Sequence, residues 1–363
     1  MRLNRKEFSE VLKIAASLSG KKITLPILGS AMIDIEKRAL YATDLETSIS
    51  CDLVPMIKEI SDQDKSFCIN AGLLHEIVTA LPKEIKEVTI ERKSENKVYI
   101  HGASVFVMST LEFPVIPTHT PVATIRNPGM LGMLKNIFPC AGKSDARYVL
   151  NGVYVDPQKG HIVATDGLRL AFYRFTTESL GGGPEPVPFV IPRPTAMLMM
   201  GIDYDPDSIS YSVLKPGKAP YMSIAYPIGM RVSFRPLEGQ YPNYEPIIPT
   251  DIQYRFTINR QALLEKMTQG MPIASDTMDA HFDLGETNTI SITNHQVGMF
   301  NSDSLPGQLE GGSIAFNLNL GYLLDAIRPI QSDQVILNIN GKHDPICIKD
   351  EAYTALVMPK GER

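Results

Sequence analysis

The sequence contains no tryptophan, and its four cysteines never fall in a CxxC spacing. Base stacking of the kind used by single-strand binders needs aromatics interleaved with basic clusters, and the Tyr and Phe residues are not so arranged. Cys51, Cys68, Cys140 and Cys347 are scattered, which argues against a disulfide scaffold or a spaced zinc site. They read as small buried hydrophobes in a reducing compartment. No apolar run approaches the ~18 residues of a membrane span, and Met1-Arg2-Leu3-Asn4-Arg5 leads straight into a helical pattern without an apolar signal region. A soluble, cytoplasmic chain is expected. Catalytic signatures are missing too: there is no GxxxxGK[ST], HExxH, GxSxG or GxGxxG. Thr165-Asp166-Gly167 with His161 nearby has the ingredients of an acid–base or metal site, but an Asp between a strand and a Gly is more simply a turn. No catalytic residue, metal or cofactor is expected.

What is present is repetition. An apolar residue followed by a helix-starting residue recurs roughly every 60 positions, at Leu3-Asn4, Ile69-Asn70, Ile125-Arg126, Ile191-Pro192, Ile258-Asn259 and Phe316-Asn317. Asn caps exposed helix N–H groups and Pro tolerates the first helical position, so each pair reads as a strand ending where a helix begins. A longer period of about 120 residues lies over the first, carried by Ala42-Thr43-Asp44, Ala164-Thr165-Asp166 and Ile292-Thr293-Asn294. Glu112-Phe113-Pro114 and Gln240-Tyr241-Pro242 repeat in the same way, inside stretches punctuated by Pro117 and Pro121 and by Pro246 and Pro249. Three domains follow, 1–120, 121–248 and 249–363, each of two half-units, which suits a 363-residue chain too long for one core. With 44% apolar residues each domain can bury its own.

A net charge of −5 looks unsuited to nucleic acid, but it averages over the surface and hides segregation. The first helix, Asn4 to Leu18, opens with Asn4 as cap and Glu7 three residues on, in the manner of a capping box. Phe8, Val11, Leu12, Ala15 and Leu18 share one sector, while Arg5, Lys6 and Lys13 fall opposite. The first 22 residues hold six basic and two acidic side chains, and Ile125 to Lys143 holds Arg126, Lys135 and Lys143 with no acid. Taken alone, any one such helix reads as an ordinary solvated face. The helix spanning Ile69 to Leu81 and the one after Asn259 are less polarised. Candidate phosphate contacts, made without sequence readout, are Lys21, Lys22, Arg126, Lys143 and Arg193. Period-two alternation at Lys97 to His101 and Val105 to Ser109 predicts half-buried strands, so the fold class is α+β, helices on sheets. Gly181-Gly182-Gly183-Pro184-Glu185-Pro186 reads as a flexible surface loop.

Five stretches then carry a resemblance: Thr24-Leu25-Pro26-Ile27-Leu28-Gly29, Asp145-Ala146-Arg147-Tyr148-Val149-Leu150-Asn151-Gly152, Ala164 to Leu170, Tyr241-Pro242-Asn243-Tyr244, and the terminal Val357-Met358-Pro359. In this order, over essentially the whole chain, they resemble the bacterial DNA polymerase III beta subunit, the sliding clamp. The resemblance implies three tandem DNA-clamp domains, each a pseudo-duplicated sheet-plus-two-helix unit, closing head-to-tail into a homodimeric six-domain ring around duplex DNA. It implies a non-catalytic processivity factor, opened by a clamp loader, that tethers replicative and repair polymerases through short linear peptides. By motif, the peptide site falls on Arg147, Val149, Leu150, Thr165, Gly167, Leu168, Arg169 and Leu170, with Pro242 and Ile247 beside them. Asn319, Tyr322, Ile346, Val357, Met358 and Pro359 complete it, although Leu170 and Val357 read also as plain core.

The chain departs from the family pattern in places. Its tail runs on as Lys360-Gly361-Glu362-Arg363, Pro246 stands where a base is common, and Pro194 follows Arg193 where a Lys is frequent. The stretch from Asn294 to Asp303 lacks the usual Glu, and Ala103 and Val105 flank Phe106 where partner bases are expected, so the ring interface is expected to be apolar, around Phe106, Pro272 and Ile273. These departures leave two other readings, a specialised or inhibitor-resistant clamp paralogue and an enzyme of DNA metabolism with a divergent site, of which the missing motifs disfavour the second.

Overall fold

The computed structural model describes residues 1–18, 25–61, 64–116, 121–144, 146–180, 187–212, 221–275, 278–302 and 304–361. Its six α-helices are α1 (Arg5–Leu18), α2 (Ala71–Ala80), α3 (Met130–Ile137), α4 (Arg193–Met200), α5 (Arg260–Ala274) and α6 (Leu320–Ile327). Five of them begin on the residue after a strand ends; α3 alone is separated from its strand, Ala123–Arg126, by a short turn. The physical device is a side-chain amide at the last strand position. Asn4 accepts from the Glu7 amide at 3.3 Å, Asn70 from Leu73 at 2.8 Å, Asn259 from Ala262 at 3.0 Å and Asn319 from Tyr322 at 3.1 Å. Each bond satisfies an N–H that the first helical turn leaves without a partner.

The sixth start differs from the sequence reading. Asn317 is not the cap, because the strand Ile314–Asn319 continues past it in register with Asp279–Leu284, and the helix waits for Asn319. The third differs as well: α3 is capped from a distance, by the Asp205 carboxylate accepting from the Leu131 amide at 3.0 Å. The second alternating strand runs Ala103–Phe106 rather than from Val105, and the loop 181–186 lies outside the described residues.

The described residues form two compact units. One comprises 1–131, 177–187 and 194–236; the other comprises 132–176, 188–193 and 237–363. The first holds a five-stranded sheet and a nine-stranded sheet, the second a nine-stranded sheet and a four-stranded sheet, all paired antiparallel. The middle third of the chain contributes to both units, because ladder hydrogen bonds carry each large sheet past a period boundary. Met230–Phe234 pairs with Thr47–Asp52 in the first unit, and Tyr353–Val357 pairs with Arg169–Arg174 in the second.

Helix α1 buries Phe8, Val11, Leu12, Ile14 and Ala15. Four of these are on the predicted face, and Leu18 at the frayed end is only half-buried. All four cysteines are buried and free, and burial pushes the thiols of Cys51, Cys68 and Cys140 up to about 12. No helix among the described residues is long and apolar enough to cross a membrane.

Two glycines separate backbone conformation from space. Gly160, in the turn between Gly152–Asp156 and His161–Thr165, has φ +64°, and a Cβ there would overlap the Phe175 carbonyl, which lies close because the Phe175 amide donates to Gly160 O at 2.8 Å. Gly102 has φ +91° with open space around it. Gly102→Ala should therefore cost about 1 kcal/mol, the conformational penalty alone. Gly160→Ala should cost about 3 kcal/mol, because steric displacement of backbone adds to it. Denaturant unfolding of both variants checks this, and equal costs would refute it.

Candidate functional site

The hairpin between His161–Thr165 and Arg169–Arg174 is built by its own side chains. The Asp166 carboxylate accepts from the Leu168 and Arg169 amides at 3.0 and 3.1 Å. The Thr165 hydroxyl donates to Arg169 O at 2.6 Å and accepts from the Gly167 amide at 3.1 Å. The Thr-Asp-Gly run is thus a turn, as read. Gly167 has φ +86°, and a Cβ there would collide with the Arg147 guanidinium that lies across the turn. Only glycine lets that arginine cover it. Leu168, at the tip, is left 55% exposed.

Arg169 anchors the hairpin from below. Its side chain is 10% exposed and reaches Asp166 at 3.0 Å and Asp325 at 2.7 Å, donates to Pro139 O, and lies 4.1 Å over the Tyr322 ring. A nearly buried cation is tolerable because two carboxylates and a carbonyl satisfy its fork. Helix α6 is thereby tied to the turn through both Tyr322 and Asp325. The chain terminus completes the surface, since Val357 pairs with Arg169 and the Met358 amide donates to Leu168 O at 2.9 Å. Beyond it the Lys360 amide donates to Asn317 O at 2.8 Å and its ammonium pairs with Asp279, so this part of the tail folds back onto the sheet.

The sixteen sequence-predicted partner-site residues all fall in this one unit, in two kinds of position. Leu150, Leu170, Ile346 and Val357 are fully buried and back the surface rather than form it. Arg147, Leu168, Pro242 and Ile247 are exposed, and Val149, Asn319, Tyr322, Met358 and Pro359 are half-buried. The core behind them joins Leu150, Leu170, Val163, Phe172, Cys347 and Leu356 to Tyr241 and Tyr244. The sequence reading missed the tyrosines' role. Tyr154 stacks on Tyr241 with centroids 4.5 Å apart, and the Tyr244 hydroxyl is 2.6 Å from His161 Nδ1. The signal available was the match between Phe113-Pro114 and Tyr241-Pro242, which fits a segment laid on a sheet better than a bare linker.

The basic candidates are placed less uniformly. Lys21 and Lys22 lie outside the described residues. Arg126 and Lys143 are exposed. Arg193 has a structural engagement the sequence did not suggest: it donates to Ala141 O at 2.8 Å and lies 4.3 Å over the Phe138 ring. Arg5 is committed in the same way, with its guanidinium donating to the carbonyls of Val78, Thr79, Leu81, Pro82 and Ile85 around the end of α2. A basic cavity of about 620 Å³ lies beside α1 and α2, lined by Lys6, Lys13, Lys83, Lys86 and His75 with Glu10 as its one acid among the described residues. Lys83 and Lys86 were not singled out from sequence, because they sit past the helix in a stretch with no periodicity.

Phe106 is 71% exposed on Ala103–Phe106, an edge strand paired on one side only among the described residues, with the Lys97 ammonium 4.9 Å from its ring. Pro272 is exposed and Ile273 half-buried in the last turn of α5. In the second unit, the four-stranded sheet also ends on an edge strand, Gly298–Asn301, from which Met299 projects.

Strand-to-helix units thus repeat through the described residues, with a basic cavity and open sheet edges beside them. Residues 1–120 match the family model for the DNA polymerase III beta subunit, N-terminal domain. The beta sliding clamp of Buchnera aphidicola is 23% identical over 350 residues, covering 91% of this chain and 90% of that protein. That of Staphylococcus aureus is 24% identical, with 93% of each chain covered. Among solved structures, the DNA polymerase III beta subunit of Thermotoga maritima aligns with a TM-score of 0.86 at 21% identity, over 100% of this chain and 99% of that one. The sliding clamp of Bacillus subtilis aligns at 0.83 and 19%, again over 100% and 99%. The chain is thus similar to bacterial DNA polymerase III beta subunits over nearly its whole length, and residues 1–120 match that family's N-terminal domain.

The burial of His161 makes stability depend on pH. Burial, and then the Arg174 guanidinium, push the His161 pKa below its usual 6.5. The folded chain thus resists a proton that the unfolded chain accepts, and stability is lost as pH falls through 6.5. His161→Gln, which keeps a hydrogen-bonding group but cannot titrate, should flatten the drop in urea midpoint between about pH 7.5 and about pH 5.5. An unchanged drop would assign the titration to another group.

Proposed function

We propose that this chain is a DNA sliding clamp: a non-catalytic processivity factor that encircles duplex DNA and tethers polymerases to it. Three domains, 1–120, 121–248 and 249–363, make one half of a six-domain ring, and two copies join head to tail. The observation that carries the ring is the pair of unlike open edges. Ala103–Phe106 in one unit and Gly298–Asn301 in the other each offer an unpaired ladder with an exposed apolar residue, Phe106 and Met299. Two different edges that complete each other form a heterologous contact, and such a contact closes a ring when its rotation closes. No Glu stands at 294–303, so that interface is apolar and little affected by salt.

DNA meets the basic helices through phosphates. Lys6, Lys13, Lys83 and Lys86 line one cavity, and Lys21, Lys22, Arg126 and Lys143 are further candidate phosphate contacts, without base readout. Binding of the open chain weakens by about 0.9 in log K per phosphate neutralised for each tenfold rise in salt. Arg193, which also holds Ala141 through one guanidinium nitrogen, is a further candidate. A polymerase contact that is weak in solution becomes durable on the ring, because topology keeps the local concentration high. The ring works in the cytoplasm and is opened by a loader. Partner peptides with a Gln and clustered Leu or Phe residues dock on the surface topped by Leu168 and Met358.

Topology gives the decisive test. Once a loader has placed the clamp on nicked circular duplex, the clamp should remain there through gel filtration and be released when the circle is cut. Phe106→Asp should be retained on neither form and should sediment as a monomer. Equal retention of the wild type on circular and linear DNA would exclude an encircling ring.

The docking surface has its own test. Leu168→Ala and Met358→Ala should each weaken a partner peptide by about 1–2 kcal/mol in calorimetric titration while the assembly stays intact. Leu170→Ala should instead lower the melting temperature, costing about 2–5 kcal/mol as a core truncation. Unaltered peptide affinity in the Leu168/Met358 double variant would move the docking site elsewhere.

A further inference from the structure

The two nine-stranded sheets have the same strand plan, so each position beneath the docking surface of the second unit has a counterpart in the first. Tyr154, Val163, Leu170 and Phe172 correspond at one common spacing to Met32, Tyr41, Ser48 and Ser50. The next strand repeats the contrast. Leu356 faces Leu170 across its ladder, whereas Ser233 faces Ser48. The overlying segment changes too, with Tyr241 and Tyr244 matched by Phe113 and Ile116. In the second unit large side chains fill this place and form a core. In the first unit the same place is a cavity of about 520 Å³.

The chemistry of that cavity is not that of a poorly filled core. Its floor is hydroxyl: Ser223 and Ser233 are buried and bonded to each other at 3.1 Å, with Ser50 beside them. Arg231 rises from the same strand as Ser233 and reaches Ser223 Oγ at 3.5 Å. Lys37 also lines the cavity, 5.8 Å from the Tyr41 ring and with a long 3.8 Å approach to Asp34. Among the described residues no carboxylate lines the cavity itself, although the chain carries more acids than bases. The opposite wall is apolar, from Met32, Phe113 and Ile116. Hydroxyl donors and two cations facing an apolar wall select an oxyanion carried next to an apolar group.

We infer that this cavity is a second peptide-binding site, which takes an extended partner segment with an Asp or Glu carboxylate on Arg231 and Lys37 and an adjacent aliphatic side chain against Phe113 and Ile116. The repeat therefore gives one sheet face two uses, a filled core that backs the Leu168 surface in the second unit and an open site for an acidic segment in the first. The site is independent of the Leu168 surface. Its failure would leave retention on circular DNA untouched.

The test uses the full chain and a fluorescein-labelled acetyl-Val-Asp-Val-amide peptide read by anisotropy, with the Asn analogue and inorganic phosphate as comparisons. The Asp peptide should bind at least about tenfold more tightly than the Asn peptide, the effect of one charge-assisted hydrogen bond. Arg231→Ala, at an exposed side chain whose loss should leave folding intact, should remove that advantage. Ser50→Phe, which installs the counterpart of Phe172, should block binding, and Leu168→Ala should change nothing. Equal binding of the Asp and Asn peptides, loss of binding in Leu168→Ala, or an unaffected Arg231→Ala with wild-type melting would each overturn the proposal. So would phosphate displacing the peptide as tightly as the peptide binds, since that would mark a free-anion site.

Discussion

The architecture depends on a strand end that is also a helix cap. In α1, α2, α5 and α6 the same asparagine closes the ladder and satisfies an N–H of the first helical turn. No loop intervenes, so the helix has little freedom in how it leaves the sheet. An amphipathic helix is marginal alone and gains most of its stability from packing its apolar face. The short junction delivers that face to a sheet of its own unit, as α1 delivers Phe8, Val11 and Leu12. Where the cap is lost, as at Arg126, the structure compensates from elsewhere with Asp205.

Once the backbone repeats, function comes from where the side chains stop repeating. The Thr-Asp hairpin occurs in the first unit at Thr43-Asp44 and in the second at Thr165-Asp166 with the same internal bonds: Thr43 Oγ1 donates to Thr47 O at 3.0 Å and Thr165 Oγ1 to Arg169 O at 2.6 Å. After it the two diverge. The second unit places Arg169 between two carboxylates and raises an exposed Leu168 beside the chain terminus, and the first lines the equivalent sheet face with serines. A backbone constraint shared by both is compatible with either surface, because sheet hydrogen bonding is indifferent to which side chain stands above it.

Charge is divided in a similar way. A chain of net −5 gathers Lys6, Lys13, Lys83 and Lys86 around one cavity, while Arg5 and Arg193 donate to carbonyls near helix ends and turns. Arginine suits the latter task because its fork satisfies several acceptors at once, whereas lysine is a solvated point charge on a flexible stem.

The sequence alone determined the period, the six strand-to-helix junctions to within a few residues, the buried face of α1 and the turn at Thr165-Asp166-Gly167. These are local: a cap, a turn and a 3.6-residue stripe are each decided within a few positions of chain. Only the tertiary structure decided that Leu150, Leu170, Ile346 and Val357 are core while Leu168 is surface, since alternation along a strand cannot say which face another segment will cover. It also decided that Asn319 rather than Asn317 caps α6, because pairing with Asp279–Leu284 extends the strand past the first candidate. The roles of Arg193, Tyr154 and Tyr244, and the serine-floored cavity, were likewise illegible in the chain. Each depends on partners tens of residues away, and a contact between distant positions leaves no mark on the local pattern of either.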